Sequence, residues 1–207
     1  MKPTGISRDM LMMVVALTLV TAIAAALLGV TNTVTREPII QAQREMLHRS
    51  LQQVLPPHAN VPLDDVIRLT EGASGEDKAA VLYYVARDAD GKVLALAREV
   101  VAPDGYSGSI RILIGLLSDG SLHAVRITDH RETPGLGDGI VQNHNWLDFF
   151  AGKALDNVRW VVKKDGGDFD QFTGATITPR AVVKAVHRGL QVFAVQKDAL
   201  LARAAGK

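Results

Sequence analysis

Residues 170–179 read Asp-Gln-Phe-Thr-Gly-Ala-Thr-Ile-Thr-Pro. Three hydroxyls, on Thr173, Thr176 and Thr178, stand just ahead of a long helical repeat, and Gly174 and Ala175 leave the first two uncrowded. A helix amino terminus offers unpaired N–H donors and favours an anion by about 0.3–1 kcal/mol at exposed sites. A phosphate therefore suits this place, and a threonine-rich cap without a ligand fits the same residues.

A second interruption of regular pattern is Glu132-Thr133-Pro134-Gly135-Leu136-Gly137-Asp138-Gly139. Glycines at alternate positions let backbone approach a flat ligand or a phosphate and leave N–H groups unhindered. The spacing is not that of a dinucleotide fingerprint, which needs G-x-G-x-x-G between a parallel strand and a helix. Taken alone, it also reads as a plain loop at a helix start.

Other reactive residue types carry less. The histidines, His123, His130 and His144 among them, show no pair at metal-ligand spacing. Asp165, Asp168 and Asp170 around Gly166-Gly167 do not follow a calcium loop and read as a turn leading into the threonine motif. Trp146, Phe149, Phe150, Trp160 and Phe172 read as core, and His187 as a boundary residue of the last helix.

These segments need a scaffold. The chain has 207 residues, 47% of them apolar, and no cysteine, which excludes disulfide scaffolds and thiolate metal or iron–sulfur sites. Twenty-three basic residues against 22 acidic ones give no bulk electrostatic reason to bind nucleic acid. The apolar excess is concentrated. In residues 10–30, 18 of 21 positions are Ala, Val, Ile, Leu or Met, and no charge occurs in residues 10–35. At ~1.5 Å per residue this run matches a hydrocarbon core, so a single transmembrane helix is expected. A cleaved signal peptide is the competing reading, because Ala22-Ile23-Ala24 resembles a cleavage site, but its apolar region is usually shorter. Lys2 and Arg8 before the run put residues 1–9 in the cytoplasm and the rest across the membrane. Residues 36–207 hold 21 basic and 21 acidic residues and are formally neutral.

Residues 36–55 place apolar side chains at 39, 40, 46, 47, 51, 54 and 55, a period of 3.6 that predicts an amphipathic stalk helix ended by Pro56-Pro57. Its stripe is expected to pack on the domain of residues 56–207, or else on another membrane subunit. Strands are expected over 80–87, 92–101, 109–117 and 121–128, with Asp90-Gly91 and Asp119-Gly120 as hairpin turns. A helix over 140–151, a strand over 157–163 and a helix over 179–202, capped by Thr178 with Pro179 as its first residue, complete the pattern. Strands followed by flanking helices make an α+β domain.

Asp170-x-x-Thr173-Gly174-Ala175-Thr176 resembles the flavinylation motif of the covalent FMN subunits in Rnf electron transport complexes and sodium-pumping NADH:quinone reductases. A single anchor, a stalk, an exported domain, the His130-x-Glu132-Thr133-Pro134-Gly135-Leu136-Gly137 loop and then the motif follow in that family's order. The resemblance thus covers essentially the whole chain. By length it is nearer the RnfG family than the longer counterpart in the quinone reductase.

The resemblance implies FMN esterified through its phosphate to the Thr176 hydroxyl by a magnesium-dependent flavin transferase that uses FAD and recognises Asp170. Thr173 would be a hydrogen-bonding neighbour. Gly135, Leu136 and Gly137 would wall the isoalloxazine, with Glu132 and Thr133 at its polar edge; a solvated loop residue is the alternative reading of Glu132. Backbone donors there would stabilise the reduced ring. The implied role is an electron carrier, not a catalyst alone, in an ion-translocating oxidoreductase of the bacterial inner membrane. Its domain would be periplasmic, and its partners would be the other membrane and peripheral Rnf subunits, the transferase and the bilayer. An FMN-domain protein of another respiratory or regulatory system, or a cofactor-free assembly or sensor domain, are the alternatives.

Overall fold

The computed structural model describes residues 8–71 and 79–206. A helix, α1 (Arg8–Val54), is followed by strands β1 (Val66–Glu71), β2 (Ala79–Arg87), β3 (Val93–Ala102), β4 (Ile110–Leu117) and β5 (Leu122–Asp129). Two short helices, α2 (Gly139–Gln142) and α3 (His144–Asp148), a 3₁₀ turn (Lys163–Asp165) and the long α4 (Ile177–Ala205) complete the chain. Membrane and stalk segments are thus continuous in α1, with Pro38 inside it. The chain divides into two compact units, residues 1–46 and residues 47–207. In the first, the apolar side chains from Met10 to Val34 are exposed, and this helix is long and apolar enough to cross a membrane.

The second unit is α+β. Its sheet is an antiparallel meander in the order β1-β2-β3-β4-β5, as consecutive hairpins dictate. At Asp119-Gly120 the Asp119 carboxylate accepts from the Ser121 amide (2.8 Å) and hydroxyl (2.7 Å), fixing the turn. One face of the sheet carries Leu96, Val100, Ile112 and Ile114, which form the main core with Val182, Val186, Leu190 and Phe193 of α4. The other face is partly covered by Leu51, Val54 and Leu55, packed with Ala86, Ala95, Ala97 and Leu113. Leu51, Val54 and Leu55 are the part of the amphipathic stripe that belongs to the second unit and is buried there.

Four local expectations are corrected. The edge strand β1 has no counterpart among the predicted strands. The 140–151 helix is broken at Asn143, whose side chain accepts from the Trp146 amide (3.1 Å) and starts α3 anew. Residues 157–163 make no strand, because Val162 meets only Phe169 in a single parallel bridge before the 3₁₀ turn begins. Helix α4 begins at Ile177, with Thr176 at its cap position, so Thr178 is not the cap and Pro179 sits two residues inside.

The aromatic residues do form a core, with two exceptions. Phe150, Trp160 and Phe169 are buried with ring centroids 4.8–6.3 Å apart, and Trp146 meets Phe150 edge-on at 5.2 Å. Phe149 stays at the surface beneath the Lys153 ammonium (4.3 Å to the ring centre). Phe172 is half-buried, 5.3 Å from Trp146. The Trp146 indole N–H donates to the Asp170 carbonyl (2.8 Å), so this cluster holds the threonine motif beside the glycine-rich loop.

Candidate functional site

Three segments far apart in sequence meet at the amino end of α4. The glycine-rich loop is folded on itself: the Thr133 carbonyl accepts from the amides of Leu136 (3.2 Å) and Asp138 (3.4 Å). Gly137 lies so close to Glu132 and Thr178 that a Cβ there would sit 2.6 Å from Glu132 Oε2 and 2.9 Å from Thr178 Oγ1. The threonine motif makes a turn of its own, with the Ala175 amide donating to the Phe172 carbonyl (3.0 Å) and Gly174 at φ +79°, a left-handed conformation that glycine adopts freely. The third segment joins β3 to β4. Lys184 of α4 donates to Asp104 (2.7 Å), holding that carboxyl below its ordinary range and drawing the segment against the helix.

Between them lies a cleft of about 540 Å³. Glu132, Thr133, Leu136 and Gly137 line one side, Gly174, Ala175, Thr176, Ile177 and Thr178 another, and Tyr106 the third. Tyr106, Leu136 and Ile177 are exposed apolar or aromatic surfaces at its edge. The hydroxyl of Thr176 makes no cap bond, and the first amides of α4 lack intrahelical acceptors, as at any helix start. A second cleft, of about 680 Å³, adjoins the first and is lined by Gly135, Gly139, Gln142, Asn143, His144, Phe172 and Thr173 among others. Leu136 borders both.

Two parts of the chain singled out by sequence are therefore brought together, and their members are sorted. Thr176, Gly174, Ala175, Glu132, Thr133, Leu136 and Gly137 line the first cleft, whereas Thr173 and Gly135 line the second. Asp170 lies on neither; its exposed carboxylate pairs with Lys163 (2.7 Å). Glu132 is not a solvated loop residue but is buried, accepting from Thr178 Oγ1 (2.6 Å) and the Ser107 amide (3.1 Å). Tyr106 carries no sequence signal, because a tyrosine after Pro103-Asp104-Gly105 reads as an ordinary turn. No group of three or more His, Asp or Glu residues suited to a metal ion occurs among the described residues.

A free hydroxyl at a helix start, small neighbours, backbone donors and an apolar rim are the donor set a phosphorylated planar cofactor needs. Residues 105–191 match the FMN-binding domain family, and residues 1–54 match the RnfG N-terminal region. Anchor helix and domain together define a membrane-anchored protein of the FMN-binding-domain class. Within that class the chain belongs to the RnfG family of ion-translocating oxidoreductase complexes.

The G subunit of the ion-translocating oxidoreductase complex of Pseudomonas aeruginosa is 43% identical over 202 residues, covering 94% of each chain. That of Cereibacter sphaeroides is 41% identical over 210 residues, covering 97% of this chain and 93% of its own. That of Vibrio vulnificus is 40% identical over 181 residues, covering 84% of this chain and 85% of its own. Among solved structures, NqrC of Shewanella oneidensis is similar in fold, with a TM-score of 0.50 and 24% identity over 70% of this chain and 78% of its own.

Proposed function

We propose that this protein is the electron carrier of an Rnf-type ion-translocating oxidoreductase and holds FMN covalently through a phosphoester to Thr176. The observation that supports the reading most directly is the position of Thr176. It lines the cleft shared by the glycine-rich loop and Tyr106, and its hydroxyl has no capping duty. FMN in that cleft supplies reversible electron uptake, which no side chain of this cysteine-free chain provides.

Each wall has a task. Gly174 and Ala175 leave the Thr176 hydroxyl accessible to a transferase, which moves the FMN phosphoryl group from FAD to that oxygen with AMP leaving. The resulting diester carries one negative charge, which the Ile177 and Thr178 amides and the α4 dipole stabilise. Leu136 and Tyr106 offer flat apolar contact to the ring system, and loop amides around Gly135 and Gly137 offer donors to its polar edge. Asp170, exposed and off the cleft, is available to the transferase. Thr173 faces the neighbouring cleft and serves as a polar neighbour. The domain lies on the periplasmic side, since Lys2 and Arg8 precede the uncharged run of residues 10–35, and it passes electrons between ferredoxin- and NAD-linked partner subunits. Tethering keeps the cofactor where no cytoplasmic FMN can replace it.

Flavin fluorescence in a denaturing gel, after co-expression with a flavin transferase, tests this. Thr176→Val is expected to lose the covalent signal completely, with the fold intact, while Thr173→Val keeps it. The reverse pattern overturns the site; a dark wild-type chain beside a labelled family control overturns the cofactor.

A further inference from the structure

Glu132 is the one carboxylate lining the candidate cleft, and it is only 5% exposed. Burying a carboxylate is costly unless it is hydrogen-bonded or paired. Here the partners are neutral: Oε2 accepts from Thr178 Oγ1 at 2.6 Å and Oε1 from the Ser107 amide at 3.1 Å. Its own backbone amide donates to His130 Nδ1 at 3.2 Å. Among the described residues no Lys or Arg pairs with it, although Arg87, Arg111, Arg126, Arg159, Arg180, Lys163 and Lys184 all pair with other carboxylates. The cleft wall therefore contains a carboxyl group whose hydrogen-bond partners are neutral dipoles alone. Each oxygen already accepts one hydrogen bond from the chain, which fixes where the carboxylate sits relative to a bound group.

Resting on the FMN reading above, we infer that Glu132, as a carboxylate anion in the cleft wall, sets the reduction potential of the bound flavin and holds it low. Each electron delivered to the ring adds negative charge unless a proton follows it. A fixed anion in a low-dielectric wall opposes that addition far more strongly than one in water. Thr178 and Ser107 have the counteracting part, since their donors offset the charge while fixing where it sits. Glu132 is thus a positioning residue for two segments and an electrostatic one for the cofactor.

Glu132→Gln in the full chain, co-expressed with the transferase, separates the two roles. The amide oxygen still accepts from Ser107, and the amide nitrogen donates to a Thr178 hydroxyl that turns to accept, so the shape is kept and the charge is lost. Spectroelectrochemical titration of the covalently held flavin is expected to give a higher midpoint potential than wild type. Thr178→Val keeps the charge and removes a donor that offsets it, and is expected to lower the potential; a purely structural role would not send the two variants in opposite directions. A potential for Glu132→Gln equal to or below wild type overturns the inference. If Glu132→Gln carries no flavin, Thr178→Val decides, and a potential equal to or above wild type overturns it. Two folded but unlabelled variants overturn it as well, because Glu132 then acts on attachment. An unlabelled wild-type chain is recognised before any potential is measured; it removes the cofactor reading, and this inference with it.

Discussion

Thr173 and Thr176 are three residues apart and chemically alike, yet they line different clefts because Gly174 turns the chain between them. That the motif matters is legible in the sequence, since hydroxyls and small residues before a helix are a local signal. The partners are not. Glu132 meets Thr178 across 46 positions and Ser107 across 25, and Tyr106 comes to the cleft from the β3–β4 segment, in which Asp104 pairs with Lys184 of α4. His187 shows the same limit: its ring stacks on Trp160 at 5.3 Å, nearly parallel, a contact that no helical spacing announces. Partial burial lowers its pKa from 6.5. The native chain therefore takes up this proton less readily than the unfolded chain does. Stability is full above about pH 6.5 and falls as pH drops from there toward the lower native pKa. His187→Phe keeps the stack and removes the titration, so the drop in thermal midpoint between about pH 7.5 and about pH 5.5 is expected to shrink. An unchanged drop would assign the acid sensitivity to other groups.

Elements are legible where period and turn chemistry agree. Strands β2 to β5 alternate or run continuously apolar, and Asp-Gly turns close two of the three hairpins that join them. β1 is a short edge strand in which only Ile67 and Leu69 alternate into the core, too brief a period to announce a strand by itself. Residues 157–163 do alternate, with Trp160 and Val162 buried and Val161 exposed. Among the described residues no neighbouring strand pairs with them beyond the single Val162–Phe169 bridge, and alternation alone cannot supply one. The stalk is recognisable by its stripe, but how much of the stripe the domain takes depends on a close backbone approach. A Cβ on Gly115 of β4 would lie 1.8 Å from the Val54 carbonyl oxygen, so the end of α1 rests on bare backbone. Overpacking typically costs ~1–3 kcal/mol, and a rigid backbone atom in the way sets this case at the upper end or beyond. Gly115→Ala is therefore expected to destabilise the domain by about 3 kcal/mol in denaturant unfolding. A change below about 0.5 kcal/mol would show that α1 does not need this contact.

For the whole molecule, a run of 26 uncharged residues followed by a formally neutral domain makes the architecture legible, because a bilayer imposes a length that sequence reports directly. Family membership extends over nearly the full length of relatives such as that of Pseudomonas aeruginosa, which joins the anchor to the FMN-binding-domain region in one functional chain. What sequence does not carry is the state of the Thr176 oxygen, since the proposed esterification would be the work of another protein. Its direct test is the mass of the tryptic peptide spanning residues 165–180, from chain purified out of membranes of cells that make a flavin transferase. This peptide is expected to be heavier by one FMN less a water, with fragment ions assigning the increment to Thr176. An unmodified peptide, or an increment on Thr173, would contradict it.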